Sequence, residues 1–176
     1  MAAGIPLWVT KEETDGAVGN LVRDSIANKM DPLATTFLFI ADRADHVSEI
    51  ASRLAAGTHV LCDRYLHSTL AYQGVTLGDR IENVQEWLRS LHTPWAPIPD
   101  HVLLFDAPAE TCVARTKQRG ETTPYEKISF LAKVRASYLQ LADGDVTVTT
   151  VDSQGPIEDV QNEALARVKS WLSAPL

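Results

Sequence analysis

Only two cysteines, Cys62 and Cys112, occur in 176 residues. That is too few for a disulfide scaffold, and the pair lacks metal-ligand spacing, so each reads as a small apolar residue. No apolar run approaches the roughly 18 residues of a membrane span, and no membrane partner is expected. The opening Met1-Ala2-Ala3-Gly4-Ile5-Pro6-Leu7-Trp8 has neither the basic start nor the long apolar stretch of a secretory signal, so a cytoplasmic location is the expectation. Positive charge is also short: 16 Lys and Arg stand against 23 Asp and Glu, a net charge of −7. A general nucleic-acid binder needs a basic footprint to release counterions, so no nucleic-acid partner is expected. Small anions remain open as ligands, because they need only a few local cations. Internal repeats and low-complexity tracts are missing as well. What is present, 45% hydrophobic and 22% charged residues, excludes disorder as the main state and fits one domain over residues 1–176.

Four short apolar runs read as strands: Ile5 to Val9, His59 to Cys62, His101 to Phe105, and Val146 to Val151. The second and third are nearly continuous in Val and Leu, the mark of a parallel sheet covered on both faces. The last alternates with Thr and suits an edge or half-exposed strand. Helical patterns fill residues 16–29, 32–56, 79–92, 108–119, 125–142 and 156–172. Asp31-Pro32 supplies an N-cap and a first-turn proline, and Gly57 a stop. Pro108 and Pro156 stand where first turns begin. Strands alternating with helices predict an α/β fold, three layers with a parallel sheet between helices. The prolines at 94, 97 and 99 make a stiff connection into the third strand.

Ligands of such sheets bind beyond the carboxyl ends of the strands. The first strand runs into Lys11-Glu12-Glu13-Thr14-Asp15-Gly16, and the second into Asp63-Arg64-Tyr65, with Thr69, Tyr72, Gln73 and Gly74 close behind. The helix after the third strand ends in Arg115-Thr116-Lys117-Gln118-Arg119-Gly120-Glu121. Cations thus recur at the ligand edge of an acidic protein, as an anion-binding cleft requires. Asp63 is suited to a hydrated Mg²⁺ and Arg64 to a forked contact with phosphate. Each has an ordinary alternative: a surface Asp-Arg pair, a core Phe39 with a solvated Arg43 one turn away, a charged helix end at 115–121.

Taken together, these segments resemble a known family. Phe37-Leu38-Phe39-Ile40-Ala41-Asp42-Arg43-Ala44-Asp45-His46-Val47, and Val60-Leu61-Cys62-Asp63-Arg64-Tyr65-Leu66-His67-Ser68-Thr69-Leu70-Ala71-Tyr72-Gln73-Gly74, are similar to thymidylate kinases, P-loop kinases that phosphorylate dTMP. Lys11 to Gly19 resembles the family's phosphate-contacting loop, and the stretch through Arg119-Gly120-Glu121 and Tyr138-Leu139-Gln140-Leu141-Ala142 its lid and following helix. The resemblance runs from about residue 5 to the end. It implies that Phe39 stacks on thymine, that Arg43 bonds the base edge, and that Arg64 and Lys11 hold the dTMP phosphate. Lys11 stands where the family usually has Arg. Thr69 would sit near the base, Tyr72 against the sugar, with Gln73 adding a polar contact, and Asp63 acting through Mg²⁺. Arg115 and Arg119 would belong to a lid near 115–126 that closes over ATP, although Pro124 stands where another Arg is frequent. The resemblance also implies a homodimer.

One expected feature is missing. Phosphoryl transfer of this kind uses a glycine-rich loop, G-x-x-x-x-G-K-[ST], and none of the nine glycines precedes a lysine. The fold is therefore expected to be P-loop kinase-like but without its first, central strand, phosphate loop and first helix. Removing a central strand would open a gap of roughly 9–10 Å and leave buried backbone groups unpaired at about 1–3 kcal/mol each. Either the start is internal to a longer protein, which is the favoured expectation, or the sheet closes differently, or another segment fills the slot. The function expected is phosphoryl transfer from ATP to dTMP, with the activity of this sequence in question. The alternatives are a non-catalytic homologue that binds dTMP or a related nucleotide, and a kinase for a different acceptor.

Overall fold

The four apolar runs form four strands in two parallel pairs. β1 (Leu7–Lys11) pairs with β2 (His59–Asp63), and β3 (Val102–Asp106) with β4 (Val148–Asp152). The computed structural model describes residues 4–118 and 128–173. Each strand ends one or two residues later than the apolar run does, because the strand-end polar residue still pairs: Lys11 lies opposite Asp63, and Asp106 opposite Asp152. The two pairs are separate two-stranded sheets among the described residues, in units that divide at Ile98 and Pro99.

In the first unit, α1 (Ala17–Ala27) packs on α2 (Pro32–Ala55), and α2 lies on β2. Strand alternation turns Trp8 and Thr10 toward α2, while Leu7, Val9 and Leu61 are exposed on the opposite face. Trp8 meets the His46 ring edge-on at 5.7 Å and lies 5.1 Å from the Arg53 guanidinium, which fixes α2 along the strand. The ends of α2 follow the sequence signals. Asp31 accepts from Leu33 N at 2.9 Å ahead of Pro32, and Gly57 adopts φ 75°. Thr58 N then bonds Arg53 O and Gly57 N bonds Leu54 O, the paired closure of a left-handed helix stop.

α3 (Leu66–Leu77) and α4 (Val84–His92) complete this unit. α3 has no apolar stripe to announce it, because its buried side includes Thr69, Gln73 and Gly74 beside Leu70, Ala71 and Leu77. α4 starts five residues later than its pattern suggests. Asn83 sits at φ 50°, a left-handed conformation that Asn tolerates and that breaks the helix there.

The second unit places α5 (Ala109–Gln118) against α6 (Ile128–Ala142), α6 against β3 and β4, and α7 (Ile157–Ser173) against β4. His101, just before β3, stacks on Trp171 of α7 at 4.3 Å. Val151 is fully buried in β4.

Candidate nucleotide site

At the carboxyl edge of the first sheet, a cation and a carboxylate stand side by side, since Lys11 and Asp63 are register partners. Both are exposed. Lys11 Nζ lies 3.0 Å from Asp15 Oδ1 and holds that carboxyl below its usual range. Arg23 of α1, which no sequence signal marked, adds a cation 3.8 Å from Asp15 and 3.9 Å from Glu13. Lys11 and Asp63 line a cleft of about 580 Å³ together with Gly16, Asp45 and Glu49. No group of three metal-ligating side chains occurs among the described residues. One strand-end carboxylate is still the donor set that suits Mg²⁺, which keeps most of its waters and binds through one or two carboxylates plus phosphate oxygens.

Beyond Asp63 the chain turns at Arg64, whose φ of 67° is uncommon for a residue with a Cβ. The Cys62 thiol donates to Arg64 O at 3.0 Å, across the turn. Burial pushes that thiol up to about 12, so it stays protonated and able to donate. The turn aims the exposed Arg64 side chain over the Tyr72 ring, 5.9 Å from its centroid. Two residues predicted for one substrate therefore lie against each other.

Arg43 is 2% exposed. Its Nε and Nη2 both donate to Glu12 Oε2, at 2.9 and 2.5 Å; Nη2 also donates to Thr69 Oγ1 at 2.9 Å, and Nη1 lies 2.8 Å from His92 Nε2. One face of the guanidinium covers the Tyr65 ring at 4.9 Å. The Tyr65 hydroxyl is buried without a hydrogen-bond partner among the described residues, and burial pushes its pKa up to about 12. Glu12 Oε1 is also 3.3 Å from His46 Nδ1, and His46 Nε2 is 2.8 Å from Thr10 Oγ1. Phe39, one turn before Arg43, is half-buried, and Gln73 is buried on the same helix as Thr69. The loop carrying Lys11 and Glu12 is held to α2 by Asp42, and α1 closes on it through Gly19, where a Cβ would stand 2.0 Å from Thr14 O.

The structure thus links Arg43 with Thr69, and Arg64 with Tyr72, and sets Lys11 beside Asp63. Glu12, Asp42 and His46 lie inside the segments singled out in the sequence but had no role assigned there. His92 had no signal at all: it is one histidine in an amphipathic helix.

In the second unit, Asp106 at the end of β3 accepts a forked pair from Arg135 of α6, Nε to Oδ1 at 2.7 Å and Nη2 to Oδ2 at 2.8 Å. Ser153, just after β4, donates its N–H and hydroxyl to Asp106 O at 2.8 and 2.9 Å. Arg115 donates to Ser153 O at 2.7 Å, so this predicted lid residue is tied to the loop after β4. Arg119 and the lid segment from 119 onward lie outside the described residues.

Parallel strands alternating with helices, with cations at the strand ends, make a mixed α/β protein consistent with the P-loop kinase fold. The thymidylate kinase family profile matches residues 1–164. A probable thymidylate kinase of Methanosarcina mazei is 42% identical over 166 residues, covering 93% of this chain and 81% of that protein. Probable thymidylate kinases of Halobacterium salinarum and Pyrococcus abyssi are 46% and 36% identical, over 76% and 96% of this chain and 67% and 84% of their own lengths. The chain belongs to the thymidylate kinase family. No helix among its described residues is long and apolar enough to cross a membrane.

Proposed function

We propose that this chain carries the acceptor side of a thymidylate kinase, binding dTMP for phosphoryl transfer from ATP to give dTDP. The observation that supports this best is the linked set in the first unit: Arg43 bonded to Thr69 in the interior, Arg64 over Tyr72, and Lys11 at the strand edge. Phe39 would face the thymine ring, Arg43 and Thr69 the base edge, Tyr72 the deoxyribose, and Gln73 a polar edge of the nucleoside. Arg64 and Lys11 would hold the phosphate. A phosphate monoester has its second pKa near about 6, so at neutral pH its oxygen is already an ionised nucleophile. The chain then needs no general base; it needs charge neutralised and oxygens aligned. Mg²⁺, where bound, would be held through Asp63 and would screen charge between donor and acceptor phosphates. Arg115 and Arg119 belong to the donor side in this reading.

Both units would belong to one nucleotide-kinase domain spanning residues 1–176. A homodimer in the cytoplasm is the state we propose for it. The lack of a G-x-x-x-x-G-K-[ST] motif favours a second reading, a protein that binds dTMP without turning it over. Coupled ADP release measured with dTMP, on the full chain and on a form extended at its N-terminus by such a loop, separates them. Turnover in the extended form supports the kinase; dTMP binding with no turnover in either form supports the second reading. dUMP, UMP and thymidine in the same assay define the acceptor.

A further inference from the structure

A guanidinium has five N–H donors in one rigid plane. Four of those on Arg43 are committed: two to Glu12, one to Thr69, one to His92. The fifth, on Nη1, has no acceptor among the described residues. Arg43 remains a cation at any ordinary pH, so His92 Nε2 is the acceptor in their contact and carries no proton. His92 Nδ1, 2.6 Å from Leu88 O, must then be the protonated nitrogen. The ring is fixed as the neutral Nδ1–H tautomer, buried at 0% exposure and tilted against Trp95 at 5.4 Å.

We propose that His92 and Glu12 are positioning residues: they hold the Arg43 plane so that its one uncommitted N–H meets a carbonyl acceptor on the bound base. This rests on the reading that a nucleobase sits at Arg43. Glu12 fixes the Nε–Nη2 edge and His92 fixes Nη1, while the Tyr65 ring closes one face. Rotating the plane would break hydrogen bonds to three elements at once, so orientation is set before the ligand arrives and costs no ordering on binding. A donor fixed in this way accepts a 4-keto pyrimidine and repels a 4-amino one, whose amino hydrogens would point at it.

The arrangement depends on His92 staying neutral. The charged groups that act on it are Arg43 from α2 and Glu12 from the loop after β1, with the Leu88 carbonyl of its own helix on Nδ1; His46, Cys62 and Tyr65 stand by Glu12 and Arg43. Burial holds the His92 pKa below its ordinary value, and the Arg43 charge acts in the same direction. Protonation would turn Nε2 into a donor facing the Nη1 donor and push the guanidinium off its line.

The test compares the Kd of dTMP and dCMP on the full chain by calorimetry at pH 7.5. Both ligands carry the same titrating phosphate, so the ratio of their Kd values isolates the base. Wild type should prefer dTMP. His92→Leu should reduce the ratio about tenfold or more at pH 7.5. His92→Gln, whose Oε1 can accept from Nη1, should keep it within about threefold, and Glu12→Gln should lower it with the fold intact by circular dichroism. A ratio unchanged in His92→Leu, with both ligands weakened alike, overturns the positioning role and leaves the dTMP reading standing. A wild-type chain that binds neither nucleotide overturns the dTMP reading and this role together. Independently of any ligand, ¹⁵N spectra should report His92 as the neutral Nδ1–H form at pH 7, and the opposite tautomer contradicts the proposal.

Discussion

Asp42 accepts two hydrogen bonds from Thr14, one from the backbone nitrogen at 2.8 Å and one from the hydroxyl at 2.6 Å. Asp42 is 2% exposed, and it adjoins Arg43 on α2. The loop that brings in Lys11 and Glu12 is therefore clamped to the helix that brings in Phe39 and Arg43. Asp42→Ala removes both acceptors and leaves the part-buried Thr14 N–H without them, at about 1 kcal/mol or somewhat more. Urea unfolding should show that loss, with dTMP affinity falling alongside. Asp42→Asn, which keeps an acceptor oxygen, should lose less than half as much; equal losses would assign the effect to packing.

The Tyr65 hydroxyl has the opposite character, since it is buried and has no hydrogen-bond partner among the described residues. Tyr65→Phe removes a desolvated polar atom and keeps the ring under Arg43. Thermal stability should stay level or rise by up to about 1 kcal/mol, where a tyrosine with a buried partner would lose that much. A fall of several degrees in Tm would mean that the hydroxyl does have a partner in solution.

His92 makes stability depend on pH. Its pKa is lowered from 6.5, by burial first and by the Arg43 charge in the same sense. As pH falls through 6.5 the unfolded chain takes up the proton and the folded chain does not. The contribution is thus fully present above 6.5 and is lost progressively below it, at up to about 1.4 kcal/mol per pH unit between the two pKa values. Urea midpoints at pH 7.5 and 5.5 should diverge more for wild type than for His92→Gln. Equal divergence would place the titration elsewhere.

The parts of the fold legible in the sequence are those set by local rules. Asp31-Pro32 and Gly57 bracket α2 because capping and left-handed stops act within a few residues. The strands were visible as Val- and Leu-rich runs, but their ends were not, because Lys11, Asp63, Asp106 and Asp152 pair in the ladder despite their polarity. α3 escaped because its buried side carries Thr69 and Gln73, so no apolar period exists to find. For the site, Arg43, Thr69, Arg64 and Tyr72 stood in recognisable blocks. Glu12 and His92 could not be assigned in this way: their meeting with Arg43 spans 31 and 49 residues of sequence and depends on how four elements pack.

Arg64, the cation just after β2, is the residue through which the first unit is proposed to bind dTMP. Arg64 is exposed, so replacing it removes a phosphate contact without opening the interior, and its left-handed backbone tolerates glycine better than alanine. Calorimetric titration of dTMP into the full chain and into Arg64→Gly measures this directly. The prediction is saturable one-to-one binding in wild type, weakened by about 10–100-fold in Arg64→Gly at unchanged or higher Tm, the scale of a lost charge-assisted contact. Binding of dTMP with equal affinity by both proteins would contradict the account.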